Sequence, residues 1–449
     1  MAITLKIYKD TVAFDLLSVA ELEQYRPVVA ALGEETVTES ATLNFTGGNS
    51  TVDGNITTLM ELFWAARQYA ATGVGGRVRL ELGLDLSGLL WRADLLTGLV
   101  DFGDGMLGYE RANGQRQVVV TWTREAVWES TTPTPLAMSN ANGTNTAMLR
   151  VWNVNDGVGA SPDTRTNYVT VAGSTIAGDS PAPVQVQLTA RSASNNLMEV
   201  ILTVNHSNSP LTVVDFWEAE SFTGGATVVA AGRSGGATQQ LTAISTSAYS
   251  TIARNLAGFP GAYFNGGAMK FMTAVYADTA QGYYFKPYWS DGINTHYGSV
   301  VYRKWTASNW QLLDLGTLRI PAISPAAVYP KVTLGVAVKA ETSVGSVQFD
   351  FLQATTADYV ASSMGLQGGL AAAVTATLDF DLFGNAIWYD PLSTNTAIMR
   401  MFGGGIYAVP GYDMRMTINT CGYITVAGEH DLRKYDLAAL YFPRRRALV

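Results

Sequence analysis

Residues 77–88 read RVRLELGLDLSG. Val78, Leu80, Leu82, Leu84 and Leu86 fall at every second position, which puts all five on one face of an extended strand. The same alternation opens the chain in MAITLKIYKDTVAFDLL and continues in QVVVTWTREAVWE at 117–129. A chain written with this period has to pair its strands into sheets that bury one face.

One early segment follows a different period. TTLMELFWAARQYAATG (57–73) sets Leu59, Leu62, Phe63, Ala66 and Tyr69 or Ala70 on one helical face. Thr58 and Glu61 have capping-box spacing, and Gly73 stands just past the end. Residues 1–130 therefore read as an α+β domain, one amphipathic helix packed on a mainly antiparallel sheet.

STTPTPLAMSNANGTNTA (130–147), rich in proline and small polar residues, reads as a linker or domain edge. Beyond it, TVVAAGRSGGATQQLTAI, MKFMTAVYAD and SVQFDFLQAT are short β runs broken by Gly, Asn and Asp. Such spacing predicts β-sandwiches or jelly rolls, so the fold class expected for the whole chain is mainly β. A Gly- and Ala-rich stretch near 359–373 is a second helical candidate. No internal repeat stands out.

Only 15% of the 449 residues are charged, yet there are 21 Tyr and 10 Trp, the composition of an ordered chain. No apolar run reaches the roughly 18–20 residues of a membrane-spanning helix. The alternating start lacks a basic segment followed by an apolar one, so no signal peptide is expected. Cys421 is the only cysteine, which leaves no intrachain disulfide and no thiol metal site. This suits folding in a reducing cytoplasm, including that of a protein released later by lysis. Residues 1–130 hold 10 Lys/Arg against 17 Asp/Glu, a net of −7, while 131–449 hold 19 against 20, a net of −1. That balance argues against a sequence-specific nucleic-acid binder, which needs a basic face.

Candidate catalytic motifs are thin. GRSGG (232–236) has the spacing of a nucleophile elbow around Ser234, but ATQQLTAIS follows it as a strand where a helix is required. The three histidines, His206, His296 and His430, bear no spacing to Ser234, and none forms a metal motif. The loop NVNDGVGASPD (153–163) offers oxygen ligands without the EF-hand order, and ordinary turns use the same residues. Asp215, Glu218 and Glu220 are near in sequence, which does not supply a glycosidase's carboxyl separation. Neither a cofactor nor a metal is expected, and the chain does not read as an enzyme.

GYYFKPYWSDGINTHYGSVVYRKWTASNW (282–310) concentrates aromatic rings. Tyr288, Trp289, Tyr297 and Trp305 are the candidate carbohydrate-binding residues, since exposed rings on a jelly roll can stack on sugars. The plainer alternative is that alternate aromatics fill the sandwich core.

Three further phrases carry a resemblance. They are the order strand, LMELFWAARQYAA, GRVRLELGL, LLWRADLLTGLVDF; the phrase IAGDSPAPVQVQLTA (176–190), with Gly178, Asp179, Pro181, Ala182 and Pro183; and the ending GIYAVPGYDMRMTIN … LAALYFPRRRALV, where Pro410 and Gly411 turn into a strand. Together they resemble minor tail and distal-tail (tail-tip) structural proteins of long-tailed bacteriophages, chiefly over 1–205 and 375–449. The resemblance implies a virion tail protein assembled in the host cytoplasm. Such a protein forms a homo-oligomer ring, six-fold or three-fold, between the tail tube and the hub or host-contacting tip. DNA would pass through the ring without specific binding, past an acidic N-terminal domain. Residues 213–362 fit the resemblance less well and read as an inserted jelly roll that could take a host surface glycan. On that reading 131–212 and 363–449 form one interrupted β-sandwich, with serial domains as the alternative. A carbohydrate-binding adhesin is the alternative function, and a serine hydrolase on Ser234 a remoter one.

The chain closes on YFPRRRALV (441–449). On a strand Arg444 and Arg446 share one face and Arg445 takes the other, so the three make no uniform basic patch. Pairing with carboxylates of the acidic N-terminal domain is expected, with Arg444 and Arg446 as candidate subunit-interface residues.

Overall fold

A computed structural model describes residues 4–448 apart from 26, 32, 84–88, 103–115, 141–142, 153–167, 191–196, 208–215, 230–236, 257–267, 291–293, 307, 320–331, 357–360, 371–374, 381–385, 390–397, 403–405 and 423–433. It is mainly β and falls into two compact units. One comprises Met1–Thr134, Ala177–Ala182 and Tyr441–Val449, and the other Pro135–Ile176 and Pro183–Leu440. Residues 441–449, read from sequence as the close of a sandwich, thus group with the N-terminal unit.

That first unit runs β1 (Thr4–Lys9), β2 (Val12–Asp15), α1 (Leu16–Val19), β3 (Ala20–Tyr25), β4 (Thr36–Phe45), α2 (Asn49–Thr72), β5 (Val78–Gly83), β6 (Leu90–Asp101), β7 (Arg116–Glu125) and β8 (Trp128–Ser130). The main hydrogen-bonded path is β2-β1-β5-β6-β7-β4-β3, and every described pairing in it is antiparallel. Laid flat, seven strands would hold β2 and β3 roughly 29 Å apart. Only α1 joins them, and five Cα steps reach at most about 19 Å. The sheet therefore curls back on itself. Leu16 of α1 is fully buried at that closure, and one apolar cluster takes side chains from both halves and from α2.

Helix α2 buries Val52, Ile56, Leu59, Phe63, Ala65 and Ala66. It starts about two turns before the sequence suggested, because Val52 and Ile56 extend the apolar stripe backwards at i, i+4 and i, i+3 spacing. The cap position is Gly48, and Thr58 lies inside the helix with its hydroxyl donating to the Gly54 carbonyl at 2.9 Å. The Thr58–Glu61 pair is thus no capping box. Gly73 does end the helix, at φ 69° with its N–H on the Tyr69 carbonyl. Gly98 lets α2 down onto β6, since a methyl there would lie 2.4 Å from the Phe63 ring. Val78, Leu80 and Leu82 are buried as the alternation requires, while Leu84 and Leu86 lie outside the described residues.

In the second unit, two seven-stranded sheets draw strands from both sides of a long interruption. One has the order Gly143–Asn145, Met138–Asn140, Tyr168–Val171, Asp413–Gly422, Leu197–Ser207, Ala361–Leu370, Ile398–Phe402. The other centres on Leu149–Trp152, Lys434–Tyr441, Ala182–Ala190, Thr375–Phe380 and Ala386–Tyr389. Two stretches here answer sequence readings. The 130–147 stretch forms short strands and buries Leu136 and Met138, and the helical candidate near 359–373 is the strand Ala361–Leu370. Glycine and alanine gave that segment weak helical character, and pairing on both edges decided it.

Residues 216–356 build two sheets of their own. A six-stranded sheet contains Ala226–Val229, Ala237–Ile244, Gly345–Thr356, Ala268–Ala277 and Asn309–Arg319, with Phe216–Glu218 beside Gly345–Thr356. A five-stranded sheet contains Ser250–Leu256, Val332–Ala340, Gly282–Ser290 and Thr295–Tyr297, with Val301–Lys304 beside Gly282–Ser290. Among the described residues no strand of this range pairs outside it. Phe271, Val275, Leu313, Val347 and Phe349 from one sheet share a core with Ile252, Phe285, Trp289, Leu334 and Val336 from the other, which makes a β-sandwich.

Candidate functional site

The strand Gly282–Ser290 sorts its aromatics by parity. Tyr283, Phe285 and Trp289 point into the sandwich core with Trp305, whose ring meets Tyr283 edge-on at 5.6 Å. Trp305 is fully buried, with its indole N–H on the Asn309 carbonyl at 3.0 Å, and Trp289 is 2% exposed. These two tryptophans, candidates for sugar stacking from sequence, are core residues. They are the largest apolar side chains in their segment, and burying them removes the most surface from water.

Tyr284, Lys286 and Tyr288 point the other way, onto the outer face of the five-stranded sheet. Tyr288 is itself only 7% exposed. Its ring lies over Gly335, where a methyl would come within 2.6 Å of it, and its hydroxyl donates to the Ile252 carbonyl at 3.4 Å. Above it stands Tyr297, paired across the strands, with ring centroids 5.7 Å apart and half its surface open at 51% exposed. Tyr302 pairs with Tyr284 in the same manner at 5.2 Å, is 45% exposed and donates its hydroxyl to Glu341 at 3.0 Å. Of the four sequence candidates, only Tyr297 therefore offers a ring to solvent, and Tyr302 joins it.

Between the two tyrosine pairs runs a floor of small residues. Lys286, Ala337 and Thr251 lie in one cross-strand row, and Tyr288, Gly335 and Ala253 in the next. The Lys286 ammonium sits 4.0 Å from the ring centroids of both Tyr249 and Tyr297, and Lys339 lies 5.2 Å from Tyr284 and 5.5 Å from Tyr249. Each such contact contributes about 0.5–1 kcal/mol at an exposed site. Tyr249, Lys286 and Lys339 went unnoticed in the sequence. The parity of GYYFKPYWS would have picked out Lys286, whereas Tyr249 and Lys339 reach the face only through long-range strand pairing.

Among the described residues, those with catalytic or metal potential stand apart. His296 packs on Trp289 at 5.1 Å. Burial pushes the His206 pKa down, and its Nε2 donates to the Tyr407 carbonyl at 2.6 Å. Glu218 and Glu220 act electrostatically on Arg254, opposing the burial that lowers its pKa. Ser234, Asp215, His430 and the loop 153–163 lie outside the described residues. No group of three or more His, Cys, Asp or Glu side chains suited to a metal ion occurs among the described residues.

The arginines of the C-terminal segment have partners within their own chain. Arg444 donates from Nε and Nη2 to Glu129 Oε2 at 3.0 and 2.9 Å. Arg446 donates its backbone N–H to Asp179 at 2.9 Å and its side chain to Ser180 and to the Ala31 carbonyl. Arg445 lies over the Trp91 ring at 5.2 Å. The expected pairing with an acidic N-terminal residue is present for Arg444, and Glu129 supplies it within the same chain.

No family model and no curated protein sequence matches the chain. Solved structures similar to it include carbohydrate-binding modules. A family 36 module of a multidomain xylanase from the hindgut metagenome of Trinervitermes trinervoides is 13% identical and covers 33% of this chain and 96% of its own, with a TM-score of 0.22. A family 22 xylan-binding domain from Paenibacillus barcinonensis is 15% identical over 37% of this chain and 97% of its own, with a TM-score of 0.23. A C-terminal family 6 module of a laminarinase from Zobellia galactanivorans is 15% identical over 31% and 97%, with a TM-score of 0.21. At those scores they assign no ligand to this chain.

Proposed function

We propose that the chain is a glycan-binding protein whose binding surface is the outer face of the five-stranded sheet. The observation that supports this best is the pair of half-exposed rings, Tyr297 and Tyr302, set above a floor of Gly335, Ala337, Thr251 and Ala253. Their strand partners Tyr288 and Tyr284 are four residues apart, about 13 Å along the strand, the reach of a short oligosaccharide. Rings backed by other rings lose little freedom on binding and offer apolar faces to the C–H side of a sugar. The role is binding without catalysis. The test is titration of the full chain with a panel of neutral and acidic oligosaccharides. Tyr297→Ala and Tyr302→Ala should each weaken binding about fivefold to tenfold, the effect of losing one stacking contact. A chain that binds none of the panel, or binds equally well without both rings, would end this reading.

A structural role at a phage tail tip is compatible with it, the glycan face then serving as a tail-borne adhesin. What favours this second reading is the N-terminal unit, where the strand–helix–strand order quoted for the resemblance forms an antiparallel sheet with α2 packed on it. Electron microscopy of the purified protein should then show rings, and a compact monomer at all concentrations would remove it.

A further inference from the structure

We infer that the glycan bound by this face is an acidic polysaccharide, one bearing repeated carboxylates; the inference rests on the glycan-binding reading above. The outer face carries three ammonium groups. Lys286 and Lys339 stand on adjacent strands, and Lys304 is exposed on the same side as Tyr302. Against them stands Glu341, whose carboxylate already accepts from the Tyr302 hydroxyl. Among the described residues none of the three lysines forms an ion pair. Several cations elsewhere are matched, as Lys6 with Asp15, Lys270 with Asp314 and Arg92 with Glu81. Among the described residues this face carries a net charge of +2, on a chain of −8.

The geometry adds to the charge. Lys286 is held between two tyrosine rings, so its position is fixed before any ligand arrives. A ring face attracts a cation without neutralising it, as a carboxylate would, and leaves the ammonium's hydrogens free to meet an anion. Lys286 and Tyr297 are in contact, so a sugar stacked on Tyr297 would carry its substituents past Lys286. A neutral glycan would gain from the rings alone. One with a carboxylate on each repeat would gain a charge-assisted hydrogen bond at Lys286, and a longer chain would reach Lys339 beside Tyr284.

The decisive experiment compares polygalacturonate with dextran as probes of the full chain, at about 50 mM and about 300 mM salt, a range that cuts the screening length more than twofold. Wild-type protein should prefer polygalacturonate and lose about tenfold in affinity at the higher salt. The double variant Lys286→Gln/Lys339→Gln should lose about tenfold for polygalacturonate at low salt while its melting temperature stays near wild type. Binding of dextran equal to polygalacturonate, or polygalacturonate binding indifferent to both lysines, would overturn the acidic specificity and leave the glycan reading standing. Binding of neither probe, with no response to Tyr297→Ala on the wider panel, would instead overturn the glycan reading itself.

Discussion

At the scale of single residues, this chain spends its charges in two ways. Glu39 and Arg124 form a fully buried ion pair at 2.5 Å. Tyr25, Trp122 and the Val28 N–H donate to the Glu39 carboxylate, and the Arg124 guanidinium lies 4.0 Å from the Trp128 ring. That carboxylate is well satisfied, and it in turn helps to push the Tyr25 hydroxyl's pKa far up, after burial itself. Glu125 is held differently. Burial first, then Asp94 and Glu129, push its carboxyl up to about 7, against the opposing pull of Arg444 and Arg77. In the unfolded chain the group titrates near its ordinary value of 4.5. Between those two values the folded chain holds a proton that the unfolded chain has released, so stability declines as pH rises from about 4.5 to about 7. Urea midpoints measured across that range should fall with pH, and Glu125→Gln should flatten the slope. An unchanged slope in the variant would contradict this environment for Glu125.

At the scale of elements, α2 is placed by one glycine and one ring. Phe63 rests where Gly98 leaves no side chain on β6. Truncating Phe63 to alanine opens a cavity in the core of the N-terminal unit and should cost about 3–5 kcal/mol by denaturant titration. Thr58→Ala separates the two accounts of the helix. Removal of a true cap would cost about 1 kcal/mol, but an interior threonine replaced by alanine should leave stability unchanged or slightly raised. Much of this element was legible: the apolar stripe and the closing Gly73 follow from a 3.6-residue period. Its start was not, because Gly48 caps without a side chain and Thr58–Glu61 happens to match a familiar spacing. The candidate face was half legible for a related reason. Period two gives which residues share a side, but both sides of Gly282–Ser290 are aromatic, and only the partner sheet decides which side is core.

At the scale of the whole molecule, two phrases far apart in sequence meet inside the N-terminal unit. The GDS of 178–180 lies against the PRRR of 443–446. Asp179 N–H donates to the Arg444 carbonyl at 3.0 Å, and Ser130 N–H to the Pro443 carbonyl at 2.9 Å. Gly178, at φ 111°, approaches so closely that a methyl there would lie 2.5 Å from the Arg444 carbonyl oxygen. Arg444 then fastens the segment to β8 through Glu129. Replacing Arg444 with glutamine should lower the stability of this unit by about 1–3 kcal/mol, given a partly buried, charge-assisted pair. Proteolysis within 441–449 should rise with it. Because the partner is in the same chain, the loss should not depend on protein concentration. A concentration-dependent loss would instead support the subunit-interface role that the sequence suggested.

Sequence alone determined the local periods: strands where apolar residues alternate, one long helix where they recur every three or four, and a mainly β chain with few charges. Those properties follow from which side of an element faces water, and that is written residue by residue. Tertiary structure decided everything that depends on what lies opposite. It sent Trp289 and Trp305 inward and left Tyr297 and Tyr302 outside, turned the Ala361–Leu370 segment into a strand, and gave Arg444 a carboxylate 315 positions away. Strand pairing brings distant residues into contact at a loop-closure cost that no local pattern encodes.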